Sequence, residues 1–470
     1  MNSISFVKNN QDIDCTNGII FNLSPKNNKS NIKTDVENLW RMFSLQHLPE
    51  VVEDLLIVGI AVFTADKKIP RKTAEDGWSR ELNLNIPVLE YDKWESVKKL
   101  LDQTLSFLSG DKWNISFYST TERFRGDKVN KKYNIKDASS FDSVSLFSGG
   151  LDSFCGALTL LNDKKNPLFV GFKEYNLLLR RQIELITSIK EQYSQSNMGF
   201  IQFNVSPRKP SNILTGMTFG ESTSRSRSFL FITGAIAVAS AIGENTPVYI
   251  PENGFIGINV PLTQSRGGSC STRTTHPLFI TKVNELLSEL DIKHQVENFY
   301  SAMSKGEIIA EHKDNTVFKN MYKETLSCSH PCQARYDGES PPLNCGYCYP
   351  CLIRKASLIA NGFIQDKYNP HYQLNKRFID ENNKIDGKAS DLKAVLFTIR
   401  RYVDNEGNPL FIRRLLRQPG HLTNEEFQSY ERLYKKSINE LLMMVRHEDK
   451  ENGGQLKEYM GLKEHAEELC

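Results

Sequence analysis

The chain lacks what would place it in a membrane, along nucleic acid or in a repeat array. No apolar run approaches the ~20 residues that a spanning helix needs. The opening MNSISFVKNNQD has no apolar signal-peptide core. Neither sign of charge is in excess: 59 Lys and Arg against 56 Asp and Glu leave +3, too little for a global pull toward nucleic acid. Local basic clusters such as Arg400-Arg401 and Arg413-Arg414-Leu415-Leu416-Arg417 read as solvated helix faces. There is no internal repeat. Of the nine cysteines, five lie between Cys328 and Cys351, a crowding that fits an intracellular metal site better than a disulfide framework. A cytoplasmic protein is expected.

Tryptophan is absent after Trp113: Trp40, Trp78, Trp94 and Trp113 all fall in the first quarter. Residues 30 to 125 therefore read as a unit of their own, with strands at Leu55–Phe63 and Trp113–Tyr118 and an amphipathic helix at Trp94–Leu108. The lysine-rich stretch Phe124–Ser140 reads as a linker. From Asp142 onward, β-type runs (Val144–Phe147, Leu168–Phe172, Phe200–Val205, Val248–Ile250) alternate with helical-period segments (Leu151–Leu161, Tyr175–Tyr193, Phe229–Ile242). Such alternation predicts an α/β fold with a doubly wound parallel sheet, whose ligands sit at the carboxyl ends of the strands. Three parts are expected: an N-terminal α+β accessory domain and linker (1–140), the sheet domain (141–364) and a helical C-terminal extension (365–470) containing Asn424–Val445. The tail from Asp449 to Cys470 is polar.

The run Ser148-Gly149-Gly150-Leu151-Asp152-Ser153 follows the first of these strands. Strand, Gly-Gly turn and a helix opening on Asp and Ser make a nest for an anion. Glycine lets the backbone come close and take positive φ. The helix N-terminus turns its N–H groups and positive dipole end to the same spot. Ser148 and Ser153 add hydroxyls, and Asp152 suits the Mg²⁺ that accompanies ATP. The bland alternative is an ordinary turn with Ser153 as a helix cap. The full pattern resembles the signature of the PP-loop ATPases, which implies ATP cleavage between the α- and β-phosphates.

Cys345-Gly346-Tyr347-Cys348-Tyr349-Pro350-Cys351 is a double CxxC with Cys328 and Cys332 upstream. Four thiolates on such a knuckle can close a tetrahedral Zn²⁺ site, and an iron–sulfur cluster is the alternative. Spacing does not choose between Cys328 and Cys332 as the fourth ligand. Cys15, Cys155, Cys270 and Cys470 have no spaced partners, and Cys155 reads as a small core residue.

A Gly-Gly loop followed about 190 residues later by this knuckle resembles the QueC family of 7-cyano-7-deazaguanine synthases. Leu326-Ser327-Cys328 is similar to the family's Leu-Ser-Cys ahead of the knuckle, which selects Cys328. Arg354 matches its arginine after the last ligand. Ser304-Lys305-Gly306-Glu307-Ile308-Ile309 resembles its Lys-x-Glu helix start, and Ser224-Arg225-Ser226-Arg227-Ser228-Phe229-Leu230 its Pro-x-Arg-Asn-x-x-Phe-Leu segment. The likeness covers Asp142 to Phe363, roughly half the chain.

The resemblance implies a PP-loop, HUP-like fold with a four-cysteine zinc site and three cofactors: ATP, Mg²⁺ and Zn²⁺. It also implies adenylation of 7-carboxy-7-deazaguanine, attack by ammonia and a second activation giving the nitrile. Asp152, Lys305, Arg227 and Arg354 are then the expected catalytic residues. Ser148, Gly149, Gly150, Asp152, Ser153, Glu252, Asn253 and Arg273 are expected to contact nucleotide or base, and Cys328, Cys345, Cys348 and Cys351 to bind the metal. Arg354 reads equally as a brace for the knuckle. His276 reads as a general base or as the residue ahead of a helix Pro277–Leu290.

The chain departs from the family where the acidic loop after the fourth strand becomes Pro251-Glu252-Asn253-Gly254-Phe255-Ile256-Gly257-Ile258-Asn259. A polar stretch from Arg266 through Cys270 to Arg273-Thr274-Thr275-His276-Pro277 is added. With both extensions, this combination resembles the QueC-like component of Qat-type anti-phage systems, which implies a protein partner bound through an extension and leaves open an amine acceptor in place of ammonia. The competing expectations are a PP-loop tRNA-modifying enzyme and a nucleotide-binding scaffold without catalysis.

Overall fold

The computed structural model describes residues 3–8, 18–23, 30–124, 136–174, 176–210, 219–221, 223–263, 273–368, 374, 390–452 and 455–461. The polar stretch 266–272, residues 125–135 of the expected linker and the last residues, 462–470, lie outside them.

In the N-terminal part, β1 (Ile4–Val7), β2 (Ile19–Asn22), β4 (Glu81–Val88) and β5 (Lys112–Ser119) pair in the order β2-β1-β4-β5. The strand β3 (Ile32–Thr34) stands apart from this sheet, and α1 (Asn38–Arg41) and α2 (Glu50–Lys68) follow it. Every pairing in the sheet is parallel, and α3 (Tyr91–Ser109) makes the crossover between β4 and β5. The unit is thus α/β, where an α+β arrangement is expected from sequence. Leu55–Phe63, expected as a strand, lies inside the 19-residue α2. This helix is buried without a break from Val52 to Asp66 because it lies between the first sheet and helix α6 (Arg227–Ile242) of the second. A helix apolar all round carries no 3.6-residue stripe, so periodicity cannot separate it from a buried strand. Its approach to the neighbouring layer is close: a Cβ on Gly59 would lie 2.2 Å from Thr233 Oγ1.

The second sheet follows the sequence expectation closely. Its strands are β6 (Ser143–Leu146), β7 (Pro167–Phe172), β8 (Gly199–Phe203), β10 (Val248–Tyr249) and β11 (Val296–Glu297), in the all-parallel order β11-β10-β6-β7-β8. The helices α4 (Leu151–Asn162), α5 (Asn176–Gln192), α6 (Arg227–Ile242), α7 (Gly254–Gly257) and α8 (Pro277–Glu289) lie on its connections. The strand order turns back between β6 and β10, where the chain runs outward through β7 and β8 and then returns. That reversal opens a crevice beyond the strand ends. A short strand, β9 (Val205–Pro207), pairs antiparallel with β3 and ties the two sheets together, and one continuous apolar core spans both.

Beyond the sheet come α9 (Lys305–His312), α10 (Thr316–Met321) and α11 (Tyr349–Ile359), then α12 (Ser390–Asp404), α13 (Pro409–Arg417), α14 (Asn424–Asn452) and α15 (Gln455–Met460). The last four pack with α11 and with Phe255, Ile258, Val260 and Leu262 into a second core. No helix among the described residues is long and apolar enough to cross a membrane.

Candidate functional site

The loop after β6 is built for tightness. Gly149 takes φ +82°, and a Cβ there would meet Gln182 Cγ at 3.1 Å. Gly150 is the extended N-cap of α4. The amide N–H of Gly150 donates to Ser148 Oγ at 3.2 Å, and Ser148 Oγ lies 3.1 Å from Ser153 Oγ. From outside the loop, Gln182 Nε2 donates to the carbonyls of Ser148 at 3.0 Å and Phe147 at 3.3 Å, while Gln202 holds Gln182 Oε1 at 2.6 Å. Sequence reasoning missed Gln182, the one polar residue on the buried face of α5 beside Leu185, Ile186 and Ile189.

Across the crevice, Asp152 in the first turn of α4 meets residues from two other segments. Asn253 Nδ2 donates to its Oδ2 at 2.8 Å, and Lys305 Nζ lies 3.3 Å from its Oδ1 with both side chains largely buried. Lys305 is the first residue of α9, the helix start expected from sequence, behind a capping box of Ser304 and Glu307. Asn253 uses its other amide end to cap α7, accepting from Ile256 N at 3.1 Å. Both ends of this amide are thus spent on holding Asp152 and α7.

Glu252 accepts from the Thr275 hydroxyl, and its main chain is fixed on both sides by Asn298. Burial pushes its carboxyl up to about 7; the Asp152 charge adds to the rise and Lys305 opposes it. The site therefore combines a charged carboxylate, an ammonium and a carboxyl that titrates near neutrality.

Arg227 opens α6 on the other side of the loop. Its guanidinium pairs with Glu174 at 2.6 Å and sits 5.7 Å from the Phe231 ring centroid. It lines a cleft of about 90 Å³ with Ser148, Val170, Gly171, Phe172 and Phe203. The two expected cations thus flank the Gly-Gly loop, Lys305 on the Asp152 side and Arg227 on the cleft side.

Two expected site residues lie elsewhere. Arg354 is fully buried, and four of its five N–H donors go to Asp366, Thr325 and Tyr322. It braces α11 against the 322–325 segment and does not face the crevice. Arg273 donates to Phe107 O at 2.8 Å with its guanidinium 5.0 Å from that ring, so it contacts α3 of the N-terminal unit. His276 is the N-cap of α8, its Nδ1 accepting from Leu278 N at 3.2 Å. Burial, with the Arg273 charge beside it, drives its pKa down to about 4, which keeps the ring neutral.

The sulfurs of Cys328, Cys345, Cys348 and Cys351 lie within 4.8 Å of one another, the one such group of metal-binding residues among those described. Cys332 is outside it, which settles the fourth position. One tetrahedral ion with Zn–S bonds of ~2.3 Å sets its sulfurs ~3.8 Å apart, and the 4.0 Å separations of Cys345–Cys351 and Cys328–Cys348 are consistent with zinc. The backbone amides of His330 and Cys345 point at Cys328 Sγ, each at 3.2 Å, as stabilises a thiolate.

The metal group adjoins the Gly-Gly loop through Ser327, a residue that sequence reasoning quoted without a role. Its Oγ accepts from Leu151 N at 3.2 Å, its carbonyl lies 3.6 Å from Cys351 Sγ, and Leu326 N donates to Gly149 O at 2.9 Å. Compared with the models of known protein families and with curated proteins, the chain has no significant match.

Proposed function

We propose that the protein is an ATP-dependent, AMP-forming enzyme of the PP-loop type. Its substrate is a carboxylate on a 7-deazaguanine-like base, which it activates for ammonia or an amine. The observation that carries this reading is the meeting of Asp152, Lys305 and the Ser148–Ser153 loop at the crevice where the strand order reverses. Phosphoryl-type activation needs an anion nest, a metal-binding carboxylate and a positioned cation within reach of one another, and these groups supply them. The carboxylate oxygen of the substrate attacks the α-phosphorus, the α–β bridging P–O bond breaks, and pyrophosphate leaves. Asp152 would hold the Mg²⁺, which neutralises phosphate charge. Lys305 and Arg227 stand on the two sides of the leaving group's path.

The aromatic and glycine walls beside Ser148 offer a flat surface for a ring to stack on, in a cleft that must widen beyond its about 90 Å³ to admit a purine. Glu252, with its carboxyl near neutrality, suits a hydrogen-bonding base edge. The cysteine site is structural in this reading, holding Ser327 under the loop. The substrate class and the prospect of a protein amine as acceptor rest on the sequence resemblance to QueC enzymes and to the Qat-type component alone. Zinc-loaded protein given Mg-ATP and 7-carboxy-7-deazaguanine should release AMP and pyrophosphate. Release independent of the base, or none at all, overturns the reading. Intact mass of proteins from neighbouring genes, co-expressed with it, distinguishes an amine acceptor from ammonia.

A further inference from the structure

The C-terminal helix α14 reaches into the site through one buried carboxylate. Glu440 is 4% exposed, and three donors converge on it. Ser304 Oγ donates to Oε1 at 2.5 Å, Ser357 Oγ to Oε2 at 3.1 Å, and Gly306 N to Oε2 at 3.3 Å. Ser304 and Gly306 are the residues on either side of Lys305.

The first N–H groups of a helix have no partner within it. Here the capping box satisfies Glu307 N and Ser304 N at 3.1 and 2.8 Å, and Glu440 takes the next one, Gly306 N. By accepting the Ser304 proton it also fixes that hydroxyl with its lone pairs toward Glu307 N. A negative charge at this end favours the helix dipole. The close seat requires glycine, since a Cβ on Gly306 would lie 2.3 Å from Glu440 Oε1. The same helix grips the segments around α9 and α7: Arg432 donates to Glu307 at 2.5 Å and to Ala302 O at 2.6 Å, and Leu433 packs where Gly254 leaves no room for a side chain.

We propose that Glu440 is a positioning residue for Lys305, so that α14 completes the Asp152–Lys305 site from outside the sheet. This rests on the reading of Lys305 as the cation that meets the nucleotide phosphates. Glutamine at 440 keeps the volume but turns an NH₂ toward one of the three donors. Glu440→Gln should lower kcat for AMP formation about tenfold, the factor carried by one hydrogen bond to a charged group, with KM for ATP changing less than threefold. In a Lys305→Met background the same change should cost less than twofold more, because groups acting through one another are not additive. A tenfold loss in both backgrounds, or none in either, overturns the proposal.

Gly306→Ala, which displaces the carboxylate from the opposite side, should reproduce the kinetic effect and serves where Glu440→Gln folds poorly. Hydrogen exchange gives a readout independent of catalysis: amides 305–309 should exchange at least tenfold faster in Glu440→Gln. Unchanged exchange there overturns the proposal even when the wild-type protein makes no AMP, a result that by itself counts only against the adenylation reading.

Discussion

Lys305 has little choice of position: its side chain is 3% exposed, and the charge it meets at 3.3 Å is Asp152. A buried ammonium beside a carboxylate is held there at a desolvation cost. Asp152→Asn and Lys305→Met should each lower AMP formation by roughly 10²-fold or more, the loss typical of removing one group that stabilises developing charge. Steady-state rates with matched circular dichroism spectra check this. Arg354→Met should instead act on stability, by about 3–5 kcal/mol, since it leaves buried Asp366 unpaired. A urea titration distinguishes the two outcomes.

Among the elements, the knuckle and the Gly-Gly loop behave as one piece because Ser327 hydrogen-bonds to the loop while its carbonyl faces Cys351. Stripping the metal with a chelator leaves thiols or thiolates crowded within 4.8 Å, and the 325–328 segment loses its anchor. Affinity for Mg-ATP should fall together with the metal and return when zinc is restored, which calorimetry can follow. Cys328→Ser should lose the ion and Cys332→Ser keep it, measured as bound zinc per chain.

How much of this was legible in the sequence varied with the kind of signal. Strands β6, β7, β8 and β5, the helix at Lys305 and its Ser304 cap each carry a local signature, either alternation, length or a capping residue. Three of the cysteine quartet follow from the double CxxC; spacing leaves the fourth open, and only the Leu-Ser-Cys resemblance points to Cys328, which lies in the group. By contrast α2 is buried on all sides and has no stripe to read. Arg354 sits in a motif position but faces inward toward Asp366. Asn253 looks like a loop residue and becomes the partner of Asp152 only when β10 lies beside β6. Glu440 has no local signal at all; 135 residues separate it from Lys305 and the fold alone joins them.

Across the whole molecule, Asp66 joins the two sheets electrostatically. Its Oδ1 meets Arg71 and Arg80 at 2.8 and 2.5 Å, and its Oδ2 accepts from the amides of Arg225 and Ser226 at 2.6 and 2.8 Å, just ahead of Arg227. The N-terminal unit therefore sets the entry to α6. Asp66→Ala should destabilise the protein by about 3–5 kcal/mol, the cost of breaking a buried pair on one side, read from denaturant midpoints.

Acid acts on the same scale. Burial drives His276 and His312 down to about 4, so both stay neutral in the folded chain. Each adds stability above about pH 6.5, and that contribution is lost as pH falls toward 4. Asp54 and Asp102, which burial pushes up to about 6, act in the opposite sense and recover stability over the same range. His312→Gln should therefore remove on the order of 2 kcal/mol of the acid-linked loss between pH 7 and 5. Urea midpoints of wild type and variant at both pH values give the comparison.

The pairing of β3 with β9 also orders events on the ribosome. Ile32–Thr34 has its partner strand at Val205–Pro207, and Asp66 finds its amide donors at Arg225 and Ser226. Roughly 170 residues beyond β3 must be synthesised before that strand is paired. The nascent N-terminal unit waits, with β3 unpaired and Asp66 Oδ2 without its amide donors, until the sheet carrying the Gly-Gly loop has left the exit tunnel. Folding of the first third is thus timed by translation of the second, and a pause placed between them would lengthen the interval in which that edge is exposed to other chains.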